Sequence, residues 1–295
     1  MSGSYRSAIW KTQLALLICG SLPGCKDTTA SVEGPRRIVF VQRSGCCSSV
    51  IAVVNDDGSD VTPLTTPQPV SGDGEPDWSP DGKKIAFISD RDGPVGNPQA
   101  VLFTMNADGT GQTKVLTTRS AAPEWSPDGS RIAFRSTIGG DLKTIRPDGS
   151  DMKSTGLTVA YSSRVSWSKS GKIAYACAST AFQIGEICTA NADGSANVKL
   201  TGTESFNSDP DWSPDEKRIV FARDSRLWIM DADGRNTIAL TPPVGARYPR
   251  WSPDGRVIAY ERYGDPQREI HIINPDGSGD RLLTYGFMPS WGPRR

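Results

Sequence analysis

A tryptophan-containing pattern recurs six times along this chain of 295 residues. Its fullest form is Trp-Ser-Pro-Asp-Gly-x-x-Ile-Ala-Phe. Five copies begin at Trp78, Trp125, Trp167, Trp212 and Trp251, and a truncated copy begins at Trp291. A period of roughly 40 to 45 residues with a Trp, an Asp-Gly turn and several short apolar runs is typical of a propeller blade. The repeat therefore predicts an all-β fold, a six-bladed β-propeller.

A second pattern alternates with the first and marks another turn in each period. It is an apolar run that ends in Asn-Ala-Asp-Gly or a close variant. The six Asp residues are Asp57, Asp108, Asp148, Asp193, Asp233 and Asp276. Gly at a left-handed position and Asp bonding its own backbone are what tight hairpin turns require. We therefore interpret these Asp-Gly pairs as structural turns rather than metal ligands.

One period illustrates the expected blade of four antiparallel strands. The predicted strands are Asp209–Trp212, Arg218–Arg223, Leu227–Asp231 and Thr237–Thr241. The C-terminal copy at Trp291 lacks its following strands, and residues 36–55 near the N-terminus supply them. We expect a closing blade shared by the two ends of the chain, which leaves no sheet edge unpaired.

Proline indicates which strand of each blade is innermost. A Pro lies two residues before every repeat Trp except Trp167, where Val165 takes its place. Because Pro cannot donate to a β-ladder, it belongs on an edge strand. The Trp-bearing strand should therefore line the central channel, with its Trp packed between neighbouring blades.

The N-terminal 25 residues have the pattern of an export signal. Arg6 and Lys11 precede the apolar run at 14–19, which is too short for a stable membrane span. Leu22-Pro23-Gly24-Cys25 resembles a bacterial lipobox, which implies lipidation of Cys25. The expected organisation is a signal peptide at 1–25, a short linker at 26–35 and a propeller at 36–295. The expected location is the periplasm or the outer membrane of a bacterium.

Charge balance argues against nucleic acid as a partner, because 33 Lys and Arg residues match 33 Asp and Glu residues. The remaining cysteines suit an oxidising compartment. Cys177 and Cys188 lie on neighbouring predicted strands, so we expect a cross-strand disulfide. Cys46 and Cys47 are adjacent in a hairpin loop, where a bond between them would be strained. We expect these two to be free or to bond to another chain.

The repeats, with Met105-Asn106-Ala107-Asp108-Gly109 as a clear example, resemble the propeller of the TolB family, a periplasmic component of the Tol–Pal envelope system. The resemblance covers about residues 34–295. It implies the propeller fold, no cofactor and a protein-binding role, with a peptidoglycan-associated lipoprotein as the model partner. Only about ten residues separate Cys25 from the first predicted strand, so we do not carry over the role of the separate TolB α/β domain.

Catalytic signals are weak. The single His, His271, lies in an alternating strand, and no Gly-x-Ser-x-Gly nucleophile motif occurs. We therefore expect neither catalytic residues nor a metal. An alternative is that Asp77, Glu124 and Asp211 hold a cation near the channel.

The meander divides the loops between two faces. The uniform face carries the Ser-Pro-Asp-Gly and Asn-Ala-Asp-Gly turns, whereas the variable face carries loops of differing length, where binding residues are expected. Aromatic and Arg side chains near those loops are candidate anchors for a partner. They are Tyr161, Arg164, Phe206, Arg247, Tyr248, Arg250, Tyr263 and Phe287. We expect a monomeric, non-enzymatic interaction scaffold. The alternatives are small-ligand or glycan binding at the channel mouth, and a propeller associated with lyase or peptidase activity.

Overall fold

The computed structural model describes residues 36–45, 48–67, 71–93, 99–161, 163–178, 185–202, 205–264 and 267–293. These residues form 24 β-strands in six sheets of four antiparallel strands. In this part of the chain there is no α-helix, and hence no helix able to cross a membrane. The predicted all-β, six-bladed fold is confirmed. The expected signal peptide, linker, lipidated Cys25, Cys46 and Cys47 lie outside the described residues and stay predictions.

The strands follow the chain in order, one blade after another. The first three, β1 (Arg37–Ser44), β2 (Ser48–Asn55) and β3 (Thr62–Pro63), belong to blade 1. Blade 2 contains β4 (Asp73–Trp78), β5 (Lys84–Ser89), β6 (Val101–Asn106) and β7 (Thr113–Lys114). Blade 3 contains β8 (Ser120–Trp125), β9 (Ile132–Ser136), β10 (Asp141–Ile145) and β11 (Lys153–Thr158).

The remaining blades repeat this order. Blade 4 contains β12 (Ser166–Trp167), β13 (Lys172–Cys177), β14 (Glu186–Asn191) and β15 (Val198–Lys199). Blade 5 contains β16 (Asn207–Trp212), β17 (Arg218–Arg223), β18 (Arg226–Asp231) and β19 (Ile238–Ala239). Blade 6 contains β20 (Ala246–Trp251), β21 (Ile258–Arg262), β22 (Glu269–Ile273) and β23 (Arg281–Tyr285). The last strand, β24 (Phe287–Trp291), returns to blade 1.

Blade 1 closes the ring with strands from both ends of the chain. The C-terminal strand β24 pairs antiparallel with β1, with Trp291 opposite Ile38 and Ser290 opposite Val39. The predicted closure by a shared blade is therefore confirmed. Because a whole β-ladder joins the two termini, closure of the ring does not depend on any single contact.

The repeat Trp residues fill the space between blades. Trp78 of blade 2, for example, belongs to a buried cluster with Val39 and Ile51 of blade 1. Five of the six repeat Trp side chains are only 6–8% exposed. Each repeat strand is the edge strand of its sheet on the side of the channel. The predicted inner position of these strands is thus confirmed.

The Asp-Gly turns are structural in all six blades. In each, the Asp carboxylate accepts a hydrogen bond from the backbone N–H two residues later, as Asp233 does from Arg235 at 3.0 Å. Gly234 has φ +85°, and a Cβ there would lie 2.7 Å from the Leu200 carbonyl oxygen of the preceding blade. A tight turn and close blade packing both require glycine at this position.

A disulfide joins Cys177 on β13 to Cys188 on β14, with the two Cα atoms 5.7 Å apart. Tyr175 is the residue opposite Cys188 in the ladder, so the bond crosses the strand pair diagonally. It lies at the C-terminal end of β13, and residues 179–184 between the two strands fall outside the described residues. The bond therefore closes the base of this hairpin.

Replacing Trp125 by Ala should lower the free energy of unfolding by about 3–5 kcal/mol, because the cavity opens between two blades. Urea unfolding monitored by circular dichroism measures the change. Trp228, which lies outside the repeat and is only partly buried, provides the control. A loss at Trp125→Ala no larger than that at Trp228→Ala would contradict the inter-blade role.

Candidate functional site

A β-bulge shapes five of the six inner strands where they reach the channel. In five of the six blades the residue three before the repeat Trp has positive φ, and the exception is blade 4. These residues are Glu75, Ala122, Asp209, Tyr248 and Met288, with φ between 51° and 54°. The ladder register shifts at each of these bulges. The bulge re-aims the side chains around it, as bulges commonly do near functional sites.

The residue immediately before a repeat Trp can join neighbouring blades. Its side chain accepts a hydrogen bond from the backbone N–H of the repeat Trp in the next blade. Asp77 accepts a hydrogen bond from the Trp125 N–H at 2.9 Å, and Asp211 accepts one from the Trp251 N–H at 2.6 Å. In blade 4 the Ser166 hydroxyl accepts from the Trp212 N–H at 3.2 Å. These contacts satisfy edge-strand donors that would otherwise be buried without partners.

Arg250 crosses the channel from blade 6. Its guanidinium donates to both carboxylate oxygens of Glu124 in blade 3, at 3.2 and 2.7 Å, and to Asp211 in blade 5 at 3.1 Å. Burial opposes its charge, but Glu124, Asp211 and Asp77 together outweigh burial and hold the pKa of Arg250 above its ordinary value. Arg250 therefore braces three blades from inside.

Glu124 is buried and close to two other acids. Burial raises the pKa of this carboxyl to about 8 against the lowering effect of Arg250, and the Asp77 and Asp211 charges raise it further. Burial likewise raises the pKa of Asp77 and of Asp211. The channel thus carries less negative charge near neutral pH than its three carboxyl groups would carry in water.

Arg164 crosses the channel from blade 4, where Val165 interrupts the Pro series. It donates to the Pro289 carbonyl of blade 1 at 3.2 Å and to the Pro76 carbonyl of blade 2 at 2.7 Å. Arg164 and Arg250 are 3% and 5% exposed. We expected both as surface anchors for a partner, and the structure instead places them in internal hydrogen bonds across the channel.

The position of Arg250 argues against a cation held by Asp77, Glu124 and Asp211. The Arg250 guanidinium occupies the space between Glu124 and Asp211 and supplies the positive charge there. Among the described residues no group of three or more His, Cys, Asp or Glu side chains could hold a metal ion. We therefore assign these carboxylates a structural role.

A funnel opens above these buried charges on the uniform face. It has a volume of about 340 Å³ and contains Trp side chains and Pro rings from most of the repeats, with Glu124 and Arg250 at its base. We expected only structural turns on this face. The funnel shows that the uniform face also has an accessible concave surface.

The variable face has a groove between blades 5 and 6. This groove, of about 280 Å³, brings together the expected residues Phe206, Arg247 and Tyr263 and adds Arg223. Phe206 and Tyr263 are each 39% exposed. Arg223 donates to Asn207 at 2.6 Å and stacks 5.0 Å from the Trp228 ring centroid. The groove therefore combines two guanidinium groups with exposed aromatic edges.

The other expected residues are distributed around the same face. Tyr248 is 7% exposed, with the Arg247 guanidinium 5.2 Å from its ring. Phe287 stacks with Arg268 at 4.8 Å and lines a second groove of about 310 Å³. Tyr161, in the connection from blade 3 to blade 4, is 57% exposed and belongs to neither groove. The eight residues thus do not form one site.

Sequence reasoning missed Arg223, Arg268 and Arg135. Arg223 and Arg135 share one signal, a position at or next to the C-terminal end of the second strand of a blade. That position opens onto the variable face. Arg223 stacks on Phe221 and Trp228 of its own blade, and Arg135 stacks on Tyr161 in the connection to blade 4. Comparing the six repeats with one another could have indicated these positions.

His271 is integrated into the outer part of blade 6. Its ring lies 3.1 Å from Asp280 through Nδ1 and 3.1 Å from Glu269 through Nε2, and the Tyr260 hydroxyl donates to Asp280 at 2.8 Å. The hydrogen bond to Asp280 is the main cause that raises the pKa of His271. Its strand position and two carboxylate partners fit a structural role.

These observations define a six-bladed β-propeller with a braced channel, a funnel on one face and grooves on the other. The chain belongs to the TolB beta propeller domain family, whose model matches residues 110–295. It is 49% identical to the Tol-Pal system protein TolB of Gluconobacter oxydans over 39 residues, which is 13% of this chain and 9% of that relative. The match spans only a small part of that protein's length.

Two solved structures show the same fold at low sequence identity. TolB from Acinetobacter baumannii aligns with a TM-score of 0.74 at 18% identity, over 88% of this chain and 67% of that one. An oligogalacturonate lyase in complex with manganese aligns with a TM-score of 0.54 at 15% identity, over 85% of this chain and 74% of the lyase. The fold is therefore common to proteins of different activity.

Replacing Arg250 by Ala should reduce the free energy of unfolding by about 3–5 kcal/mol, because Glu124 and Asp211 would lose their buried partner. Chemical denaturation measures the change. Arg256→Ala, which removes a side chain that is 79% exposed, should change it by less than about 1 kcal/mol. Equal effects of the two substitutions would refute the bracing role.

The pH dependence of stability should report on His271. Because its pKa is higher in the folded protein, its stabilising effect is full below the unfolded pKa and is lost as pH rises through the folded value. The melting temperature of His271→Asn should therefore lie below that of the unsubstituted protein at pH 6, with a gap that narrows toward pH 9. A gap that stays constant from pH 6 to 9 would contradict this assignment.

Proposed function

We propose that this protein is a non-enzymatic interaction scaffold of the bacterial envelope, which binds another protein through its variable face. The observation that carries the proposal is the groove between blades 5 and 6. Phe206, Arg247 and Tyr263 were expected from the sequence as partner contacts, and they line this single concave surface. Aromatic and Arg side chains dominate the binding energy of many protein interfaces.

The chemistry of the groove favours a partner segment with both apolar and acidic side chains. Phe206 and Tyr263 offer partly exposed rings, while Arg223 and Arg247 offer guanidinium groups held over aromatic rings. Stacking restrains an Arg side chain before binding, so less conformational entropy is lost on association. A rigid, pre-arranged groove of this kind suits a folded or extended protein partner.

Family membership supports the proposed partner and location. The relative from Gluconobacter oxydans is a Tol-Pal system protein. By analogy, the partner is an envelope protein such as a peptidoglycan-associated lipoprotein, and the location is the periplasm or the inner surface of the outer membrane. The proposed export signal at residues 1–25, with lipidation at Cys25, agrees with that location.

Small-ligand or glycan binding at the channel mouth is the second candidate. The observation in its favour is the funnel of about 340 Å³ on the uniform face, which contains Trp and Pro side chains such as Trp125 and Pro127. A catalytic function has less support, because the single His of the chain is held between Glu269 and Asp280. We therefore propose binding rather than turnover in either case.

Binding of residues 26–295 to a purified peptidoglycan-associated lipoprotein from the same bacterium tests the leading proposal. Isothermal titration calorimetry should give saturable binding that Phe206→Ala and Tyr263→Ala each weaken about tenfold, since truncated interface anchors typically cost more than 1 kcal/mol.

Ile238→Ala is the matched control, because Ile238 is 57% exposed on the outer strand of the same blade. It should leave the affinity unchanged. No binding, or binding that neither groove substitution weakens, would overturn the proposed protein partner. Binding of an oligosaccharide that Trp125→Phe weakens would instead support the funnel.

A further inference from the structure

Arg135 lies at the variable-face end of blade 3, close to the channel. It is the fourth residue of β9 and pairs with Ala121 on the inner strand and Leu142 on the next strand. The whole residue is 4% exposed. Its position corresponds to the end of a second strand, where the blade opens toward the mouth of the channel.

The Arg135 guanidinium has no hydrogen-bond partner among the described residues. Its Nε and Nη1 atoms are both fully buried and donate to no atom there. No described carboxylate lies within 4.0 Å of it, whereas Arg131, four residues earlier, bonds to Thr144 and Asp151. The ring of Tyr161 lies against it, with its centroid 5.3 Å from the guanidinium carbon.

Other charged and titratable groups act on Arg135 from a distance. The charges of Glu75, Tyr161 and Tyr248 raise its pKa. The Glu75 carboxylate also accepts a hydrogen bond from the Ala122 N–H. Burial lowers the pKa of Arg135, and Glu75 offsets part of this effect. Because the ordinary pKa of Arg is above 12, the group still carries its full charge at neutral pH.

A buried charge without a hydrogen-bonded partner is costly and rare in folded proteins. One explanation for such a group is an ion or another ligand that occupies the site. Guanidinium groups bind carboxylates in a two-bonded, coplanar arrangement through Nη2 together with either Nε or Nη1, and each of these pairs includes one atom that is unsatisfied here. The nearby Glu75 charge disfavours a dianion such as phosphate, so a singly charged carboxylate fits better.

We propose that Arg135 is the anchoring cation of a carboxylate-binding site at the variable-face end of the channel, with Tyr161 stacked against it. The carboxylate could belong to an acidic side chain or to a free organic acid. The site therefore does not depend on the proposed protein partner.

Stability gives the first test. The melting temperature should stay unchanged or rise when a binding residue is replaced, and it should fall when a structural residue is replaced. Arg135→Met keeps the length of the side chain and removes a buried unpaired charge, so the melting temperature should stay unchanged or rise. Arg131→Met, which removes hydrogen bonds to Thr144 and Asp151, should lower it. A fall of several degrees for Arg135→Met would overturn the proposal.

Binding gives the second test. Protein spanning residues 26–295 and labelled with ¹⁵N-arginine is titrated with sodium acetate, and separately with an acetylated and amidated Gly-Asp-Gly peptide. Sodium chloride and the corresponding Gly-Asn-Gly peptide are the controls. The Arg135 Nε–Hε signal, assigned by its loss in Arg135→Met, should shift saturably with a carboxylate ligand and not with either control.

Arg135→Met should weaken carboxylate binding about tenfold or more, because charge-assisted hydrogen bonds are lost. The shifts of the remaining Arg signals measure the affinity of this variant. Arg146→Gln, which removes an exposed charge on the uniform face of the same blade, should not. A response to acetate alone supports a free acid, and a response to the peptide alone supports a protein side chain. No response, or equal responses to chloride and acetate, would overturn the site.

Discussion

The hydrogen bonds that join the inner strands across the channel are the constraint on which the propeller depends. Inner strands are sheet edges, and their backbone groups would be left without partners once the ring has closed. Asp77 and Asp211 satisfy the Trp125 and Trp251 N–H groups of the next blades. Arg250 then joins opposite sides of the ring through Glu124. The channel is consequently a polar core, comparable in role to the apolar layers between blades.

This arrangement separates structural residues from residues free to bind. The repeated Trp, Pro and Asp-Gly positions build the blades, their turns and the channel lining. The variable face, in contrast, carries Arg side chains that stack on aromatic rings and differ from blade to blade. Arg135 is the extreme case, since it is buried like a core residue but, unlike Arg164 and Arg250, has no hydrogen-bond partner in the described part of the chain. Function is therefore expected where the repeat is least regular.

The fold was predictable because the same local sequence pattern recurs in every blade. The period, the Trp positions and the split repeat at Trp291 led directly to six blades and a shared closing blade. The channel contacts were not predictable in the same way. Glu124 and Arg250 are 126 residues apart, and nothing local in either blade indicates that they meet. Arg164 and Arg250 read as loop anchors because nothing in the sequence around them indicates that their side chains turn into the channel.

Native-state hydrogen exchange of the Trp125 and Trp251 amides tests the role of the inner ring most directly. If the channel contacts hold the propeller together, these two amides exchange only through global unfolding. Their exchange free energies should then equal the unfolding free energy and fall with denaturant at the same slope. Exchange through local fluctuation, with a much smaller free energy and no denaturant dependence, would contradict this account.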